Sequence, residues 1–345
     1  MKLETKLLGA LSGAAIGSAM GAPVISMPID MIQERFGGKI TDFVGFPPEK
    51  NTKDLPGGLV TDGFTLAAVH AEYWGKYGHL TDENVAEALE DWRNNPKYRH
   101  QVQYFIGKTT QAALARRDGS YTPTFADEML CDQKTITNGA AAKSWICGLF
   151  HPADPYKAML DTFTLCLPTH NNVIALAGAC AVSSALAVAL TGSSDINRIV
   201  EAGISGARDG YAMAMDRAKA AAGASVAERI KLAVTIGLKY GHRFDECIRE
   251  MEGVIGTGPH ANESVPSAFG FFVASGGNVR KAIELGVNAG NDSDVVASLA
   301  GALAGAYGGY DKSLASLADH VSAVNGINLN RLTRTIISVI DRRNQ

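Results

Sequence analysis

A chain of 345 residues, 46% hydrophobic and 19% charged, suffices for one large or two ordinary domains and is too rich in core-forming side chains for disorder. Its formal net charge of -3 gives no basic field for nucleic acid, and no cluster of Lys and Arg interleaved with aromatics is present. Cys131, Cys147, Cys166, Cys180 and Cys247 lack the short spacings of zinc or redox motifs and read as reduced thiols in a core.

From the N-terminus, Glu4 to Met20 carries small and apolar residues at helical spacing, with Gly13, Gly17 and Gly21 at every fourth place. That lines one helix face with glycine, where another backbone can approach. Pro23 and Pro28 stop the helix. The same stretch imitates a signal peptide but is read as retained, and the protein as soluble and cytoplasmic without a membrane span. Residues Pro28 to Asp62 read as a long irregular loop broken by glycine and proline. Thr61 and Asp62 close it, either as caps of the next helix or as oxygen ligands.

Thr81 to Arg93 reads as an amphipathic helix opened by a capping signal, and Tyr98 to Arg116 as another. Between Lys134 and Phe150, Asn138 and Gly139 open a small-residue helix that carries Lys143. Its first N-H groups suit an anion or a sugar oxygen, though a plain Asn cap explains the dipeptide equally well. His170 stands at the entrance of the Ala-rich helix Asn171 to Leu190, as a structural hydrogen-bonding residue or as a donor to a phosphate or hydroxyl. Helical patterns follow over Asp195 to Ala222, Ser225 to Tyr240 and Phe244 to Met251, then a glycine-rich loop from Gly253 to Ser264 holds His260 and Glu263.

The most informative stretch is Gly286 to Gly309, where Asp292 and Asp294 precede a smooth run from Val295 to Tyr307. Two acids with one residue between them, at a helix start whose dipole favours negative charge, can converge on one cation. The rival is a capped, solvated turn, with Ser293 or Asp294 as the cap. Helical patterns over Leu314 to Val324 and Asn330 to Asp341 close the chain. Period-two strands are absent and no linker divides the sequence, so one all-α domain over 1-345 is expected, with its glycine-rich loops gathered at one end.

The ordered segments GALSGAAIGSAMGAPV, GGLVTDGFTLA, TNGAAAKSWICGL, PTHNNVIALAGA and GVNAGNDSDVVASLAGALAGAYGG together resemble the ADP-ribosylglycohydrolases. The resemblance implies a compact orthogonal helical bundle and a binuclear Mg²⁺ or Mn²⁺ centre that holds ribose hydroxyls and a water beside a glycosidic bond. It places Thr61, Asp62, Asp292 and Asp294 as metal ligands, with Asp294 and Asp292 also catalytic. Asn138, Gly139, Lys143 and His170 are then expected to face the ligand, joined by Gly290 and Asn291. Gly63 stands where the resemblance implies a third ligand of the first segment, Val295 where it implies a closing Thr or Ser, Ser18 for an Asp and Ile25 for a Glu. Losing the carboxylate at position 63 removes charge that attracts a hard cation, so one ion is expected and a second only weakly held or absent. The expectation is a metal-dependent glycohydrolase of an N- or O-ribosyl bond, acting on an ADP-ribosylated protein or a small riboside. The alternative is a binding protein that has lost turnover. Glu263 is a candidate substitute for the missing Glu.

Overall fold

The computed structural model describes residues 1–48, 52, 54–129, 131–192 and 195–343. Among them there is no strand, only three isolated bridges such as Thr137 with His260. The chain runs through α1 (Leu3–Gly21), α2 (Ile29–Phe36), α3 (Asp62–Tyr77), α4 (Asp82–Asn94), α5 (Arg99–Tyr104), α6 (Lys108–Asp118) and α7 (Phe125–Glu128). It continues with α8 (Gly139–Ser144), α9 (Ile146–Phe150), α10 (Pro155–Cys166), α11 (Val173–Ala189), α12 (Ile196–Ala214) and α13 (Val226–Tyr240). The last third holds α14 (Phe244–Glu250), α15 (Ala261–Ala274), α16 (Val279–Asn288), α17 (Ser293–Gly308), α18 (Ala315–Asn325) and α19 (Leu329–Arg343). This is the all-α orthogonal bundle expected from the sequence.

Three nearly wholly buried helices form the centre. α17 packs on α1, α15, α16 and α11, while α11 packs on α8, α10, α12 and α15. The α1/α17 seam is set by glycine. A Cβ on Gly13 would lie 2.2 Å from the carbonyl oxygen of Gly301, and one on Gly301 would lie 2.4 Å from that of Gly13. Gly9 meets Gly305 and Gly17 meets Ala297 in the same way, so the every-fourth-residue stripe brings two backbones into direct contact. Leu3–Val24 is long and apolar enough to cross a membrane, but 94% of its apolar window is buried against this partner and its neighbours, as in a core helix. Lys6, also buried, donates from Nζ to the carbonyls of Ala189 (2.6 Å) and Thr191 (2.8 Å), capping the end of α11.

The sequence expectations fail where tertiary contacts override local signals. The segment read as irregular contains α2, which starts at Ile29 behind its N-cap Pro28 and stops at left-handed Gly37. Tyr98 to Arg116 is two helices, broken where Gly107 leaves helical geometry. α12 ends at Ala214 because the following backbone is drawn into hydrogen bonds across Lys219 with Asn171 and Val173. The glycine loop from Gly253 is in part a π turn, Met251–Ile255, and in part the first turn of α15. α16, which carries no obvious signal, follows a turn at Gly276 and Gly277.

Two stability predictions follow from this packing. Gly13→Val drives a branched side chain into the Gly301 carbonyl, which cannot swing away as a side chain can. A loss of about 3 kcal/mol is expected, read as a lower urea midpoint. The second concerns His70, which is fully buried in α3 and whose Nδ1 lies 2.6 Å from the Leu66 carbonyl. Burial, aided by the Lys143 charge, pushes its pKa from 6.5 down to about 4. The unfolded chain therefore takes up a proton that the folded chain refuses. Stability fully present above pH 6.5 is lost as pH falls toward 4, by about 3 kcal/mol in all. Between about pH 7 and about pH 5 the slope of unfolding free energy should be shallower in His70→Leu than in the parent, by up to about 1.4 kcal/mol per pH unit.

Candidate active site

Three helix starts meet at one end of the bundle. Asp292 is the N-cap of α17 and Asp294 lies in its first turn, Thr61 is the N-cap of α3 with Asp62 its first residue, and Asn138 precedes α8. None of the three N-cap side chains caps its own helix. They are turned instead toward one another. The Asn138 amide donates to Asp292 Oδ2, and the Thr61 side chain faces Asp294 and favours its ionised form. Ser18 Oγ lies within hydrogen-bond distance, 3.1 Å, of Thr61 Oγ1 and accepts the Thr61 N-H at 3.1 Å. Ser18 thus anchors Thr61, the residue that acts on Asp294. Ser293, which the sequence offers as a cap, donates instead to the Gly21 carbonyl at 3.0 Å and ties α17 to the end of α1.

Backbone hydrogen bonds hold the loops together behind these side chains. The N-H of Asp292 reaches Thr257 O (2.9 Å) and that of Asn138 reaches Pro259 O (2.8 Å), so the loop between α14 and α15 clasps both. Gly290 and Asn291 are consecutive left-handed residues, with φ of 71° and 58°, and Asn291 exchanges backbone bonds with Ser26 and Met27. A Cβ on Gly290 would lie 2.2 Å from Met27 O, so only glycine lets this turn close. Gly290 and Asn291 therefore shape the turn beneath Asp292 and do not line the cavity.

The cavity encloses ≈ 370 Å³. Asp62, Asp292 and Asp294 form an acidic floor, and Asn138, Gly139 and His170 form one wall. Gly139 admits His170, because a Cβ there would meet its Nε2 at 2.6 Å. Burial raises the pKa of all three acids. Asp62 is pushed up to about 7 by burial and then by the Asp294 charge. Asp292 is pushed up to about 8 by burial and Asp294, against the hydrogen bond from Asn138. Asp62 and Asp292 are half-buried and each faces another acid, which favours the protonated form of both.

Two expected residues lie off the cavity. Lys143 is fully buried on the far side of α8, where its Nζ donates to Thr169 Oγ1 at 2.5 Å. Thr169 Oγ1 in turn lies 2.8 Å from His170 Nδ1, so Lys143 acts on the site only through that contact and its charge. Glu263 sits under Gly256 and Gly258, 3.6 Å from His260. It is not among the residues that line the cavity. The sequence reading also missed residues that the broken α5/α6 segment supplies. Tyr104, Phe105 and Lys108 line the cavity, and the Gly107 N-H donates to Asp62 Oδ2 at 3.3 Å. Lys134 joins Lys108 on the lining, and neither makes an ion pair among the described residues.

For a divalent cation the donors present are all oxygens, from Thr61, Asp62, Asp292 and Asp294, which is the ligand type of Mg²⁺ and Mn²⁺. Their mutual repulsion is what a cation relieves. Among the described residues, however, no three His, Cys, Asp or Glu side chains stand as a finished ligand cluster, and Asp292 is held by Asn138. The donors fit one ion better than two.

Comparison with known proteins agrees with this architecture. The family model for ADP-ribosylglycohydrolase matches residues 1–343. The chain belongs to the ADP-ribosylglycohydrolase family. It is 27% identical to the uncharacterized protein YegU of Escherichia coli (strain K12), over 99% of each chain. It is 26% identical to an uncharacterized protein of Archaeoglobus fulgidus, over 89% of this chain and 88% of that one. Among solved structures, one titled ADP-ribosylglycohydrolase-related protein complex shares the fold, with a TM-score of 0.61 at 20% identity over 96% of this chain and 99% of that one.

Gly63 is not an empty place in the wall. A Cβ there would lie 2.8 Å from the Cβ of Ala142 on α8. Gly63→Asp alone should lose about 2 kcal/mol by overpacking, and Gly63→Asp with Ala142→Gly should recover most of it, measured by urea unfolding.

Proposed function

We propose that this chain is a metal-dependent glycohydrolase that cleaves an N- or O-ribosyl bond of an ADP-ribosylated substrate or a related riboside. The observation that carries the reading is the convergence of Asp62, Asp292 and Asp294 on the floor of one cavity whose lining also carries two lysines without acidic partners. An acidic floor suits ribose hydroxyls and the positive character that develops at the anomeric carbon. Lysines suit the phosphates of the same substrate.

In this reading Thr61, Asp62, Asp292 and Asp294 would hold one Mg²⁺ or Mn²⁺, whose chemistry would be to orient a diol and to make a water more acidic. Asp294, faced by the Thr61 side chain that Ser18 anchors, orients the attacking water and takes its proton. Asn138 holds Asp292 in place and His170 seats the sugar against Gly139. Water adds to the anomeric carbon as the bond to the leaving nitrogen or oxygen breaks, and a proton passes to the leaving group. The family membership supports hydrolase chemistry of this type.

A second reading, a binding protein that keeps the pocket without turnover, is favoured by the apolar Ile25 and Val295 on the cavity wall. Release of ADP-ribose from mono-ADP-ribosylated arginine, with Mn²⁺ present, separates the two. The first reading expects release, reduced at least about a hundredfold in Asp294→Asn. Intact recovery of a bound substrate from the parent chain would establish the second.

A further inference from the structure

A second cavity, ≈ 550 Å³, lies where α1 begins, and Leu3 is part of its wall. The other end of α1, at Gly21, touches Asp294, so the two cavities stand roughly 27 Å apart along that helix. The end of α9, the start of α10 and the end of α19 supply the polar groups, namely His151, Asp154, Lys157 and Arg343. The Arg343 guanidinium is centred 5.3 Å from the Trp74 ring, which itself stacks on Phe150 at 4.0 Å. That platform fixes its plane.

Among the described residues, the hydrogen bonds of Arg343 are long and go to neutral acceptors. Nη1 donates to Phe150 O (3.3 Å) and His151 Nδ1 (3.4 Å), and Nη2 to Gly78 O (3.3 Å). Of the five N-H donors of a guanidinium these use three, which among the described residues leaves Nε-H and one Nη2-H for an oxyanion. Since Arg can only donate, His151 Nδ1 accepts, and its Nε2-H points to Asp161 Oδ2 at 2.5 Å. Asp161 is thereby engaged by His151, and among the described residues Arg343 makes no ion pair. Lys157 adds a second positive charge, held only loosely by Asp154 at 3.5 Å. Two cations face one lining carboxylate, with Asp161 behind His151 also acting on Arg343, and apolar Leu3, Pro152 and Ile340 around them make a lining suited to an anion with an apolar body.

We infer that this cavity is a second ligand site, distinct from the acidic one, which takes a small molecule bearing a phosphate or carboxylate through Arg343 and Lys157. The test is calorimetric titration of the full chain with phenyl phosphate, inorganic phosphate and benzoate, with Trp fluorescence as a second readout because Trp74 lies beneath Arg343. Binding of phenyl phosphate is expected, weakened at least about tenfold in Arg343→Gln and about threefold in Lys157→Gln, and unchanged in Asp62→Asn. Tighter binding of phenyl phosphate than of benzoate identifies a phosphate ligand, and the reverse identifies a carboxylate. The inference is overturned if the parent binds none of the three at about 10 mM, if both cation variants bind as the parent does, or if Asp62→Asn abolishes binding. Should Arg343→Gln unfold, Lys157→Gln and Arg343→Lys decide the matter, since both keep the contacts of α19 largely in place.

Discussion

The direct backbone contact between α1 and α17 is the constraint on which the site rests. Glycines four residues apart on α1 face Ala297, Gly301 and Gly305 on α17, and carbonyl oxygens of each helix lie where the other would carry a Cβ. At that separation dispersion and Cα-H···O contacts act along the whole seam, and the register between the helices cannot slide without a collision. The seam ends at Gly21, whose missing Cβ would lie 2.5 Å from the Asp294 Cα. Ser18, one turn earlier on α1, is thereby brought beside Thr61, and through it beside Asp294. A packing device thus sets the position of a reactive carboxylate.

Electrostatics in the cavity run against the fold and not with it. Three carboxylates share a poorly solvated floor, where Asp294 raises the proton affinity of Asp62 and of Asp292, and Asp62 adds to that of Asp292. The buried cation behind them, Lys143, is itself pushed toward its neutral form by burial, so it offsets their charge only weakly. Helix starts at α3 and α17 supply part of the compensation through their N-H groups, as shown by the bonds that lower the pKa of Asp62 and Asp294. What remains uncompensated is negative charge facing the cavity. A site of this kind lowers the energy of a positive centre placed in it, whether a bound cation or a sugar carbon losing its leaving group.

The sequence made legible whatever was carried by strong local chemistry. Asp292 and Asp294 were readable because acids ahead of a smooth apolar run mark a helix start, and Thr61 with Asp62 for the same reason. Asn138 was readable as a position but not as a role, since its amide turns from the backbone to a carboxylate 154 residues away. The cavity wall from Tyr104 to Lys108 was hidden because the helical pattern runs through Gly107 without a break in period, and only the contact with Asp62 marks the interruption. Lys143 misled in the opposite way. Its place in an Asn-Gly helix points to the ligand, but six residues of helix suffice to rotate it onto Thr169. α16 was missed because Gly286 signals a loop, whereas here it lets the helix lie against Ala297.

The departure at position 63 that the resemblance implies is connected with the placement of α8. Its start is fixed by the Asn138 contact with Asp292, and its first turn by His170 pressed against Gly139. Ala142, one turn further on, is thereby carried to the place where a side chain at position 63 would begin. Glycine at 63 is then the residue that the position of α8 demands. The absent carboxylate follows from packing as much as from chemistry. A floor with three acids repels itself less than one with four, and it stands without a cation at smaller cost. The same reduction weakens its attraction for a second ion more than for the first, because the first ion cancels most of the charge that would hold the second.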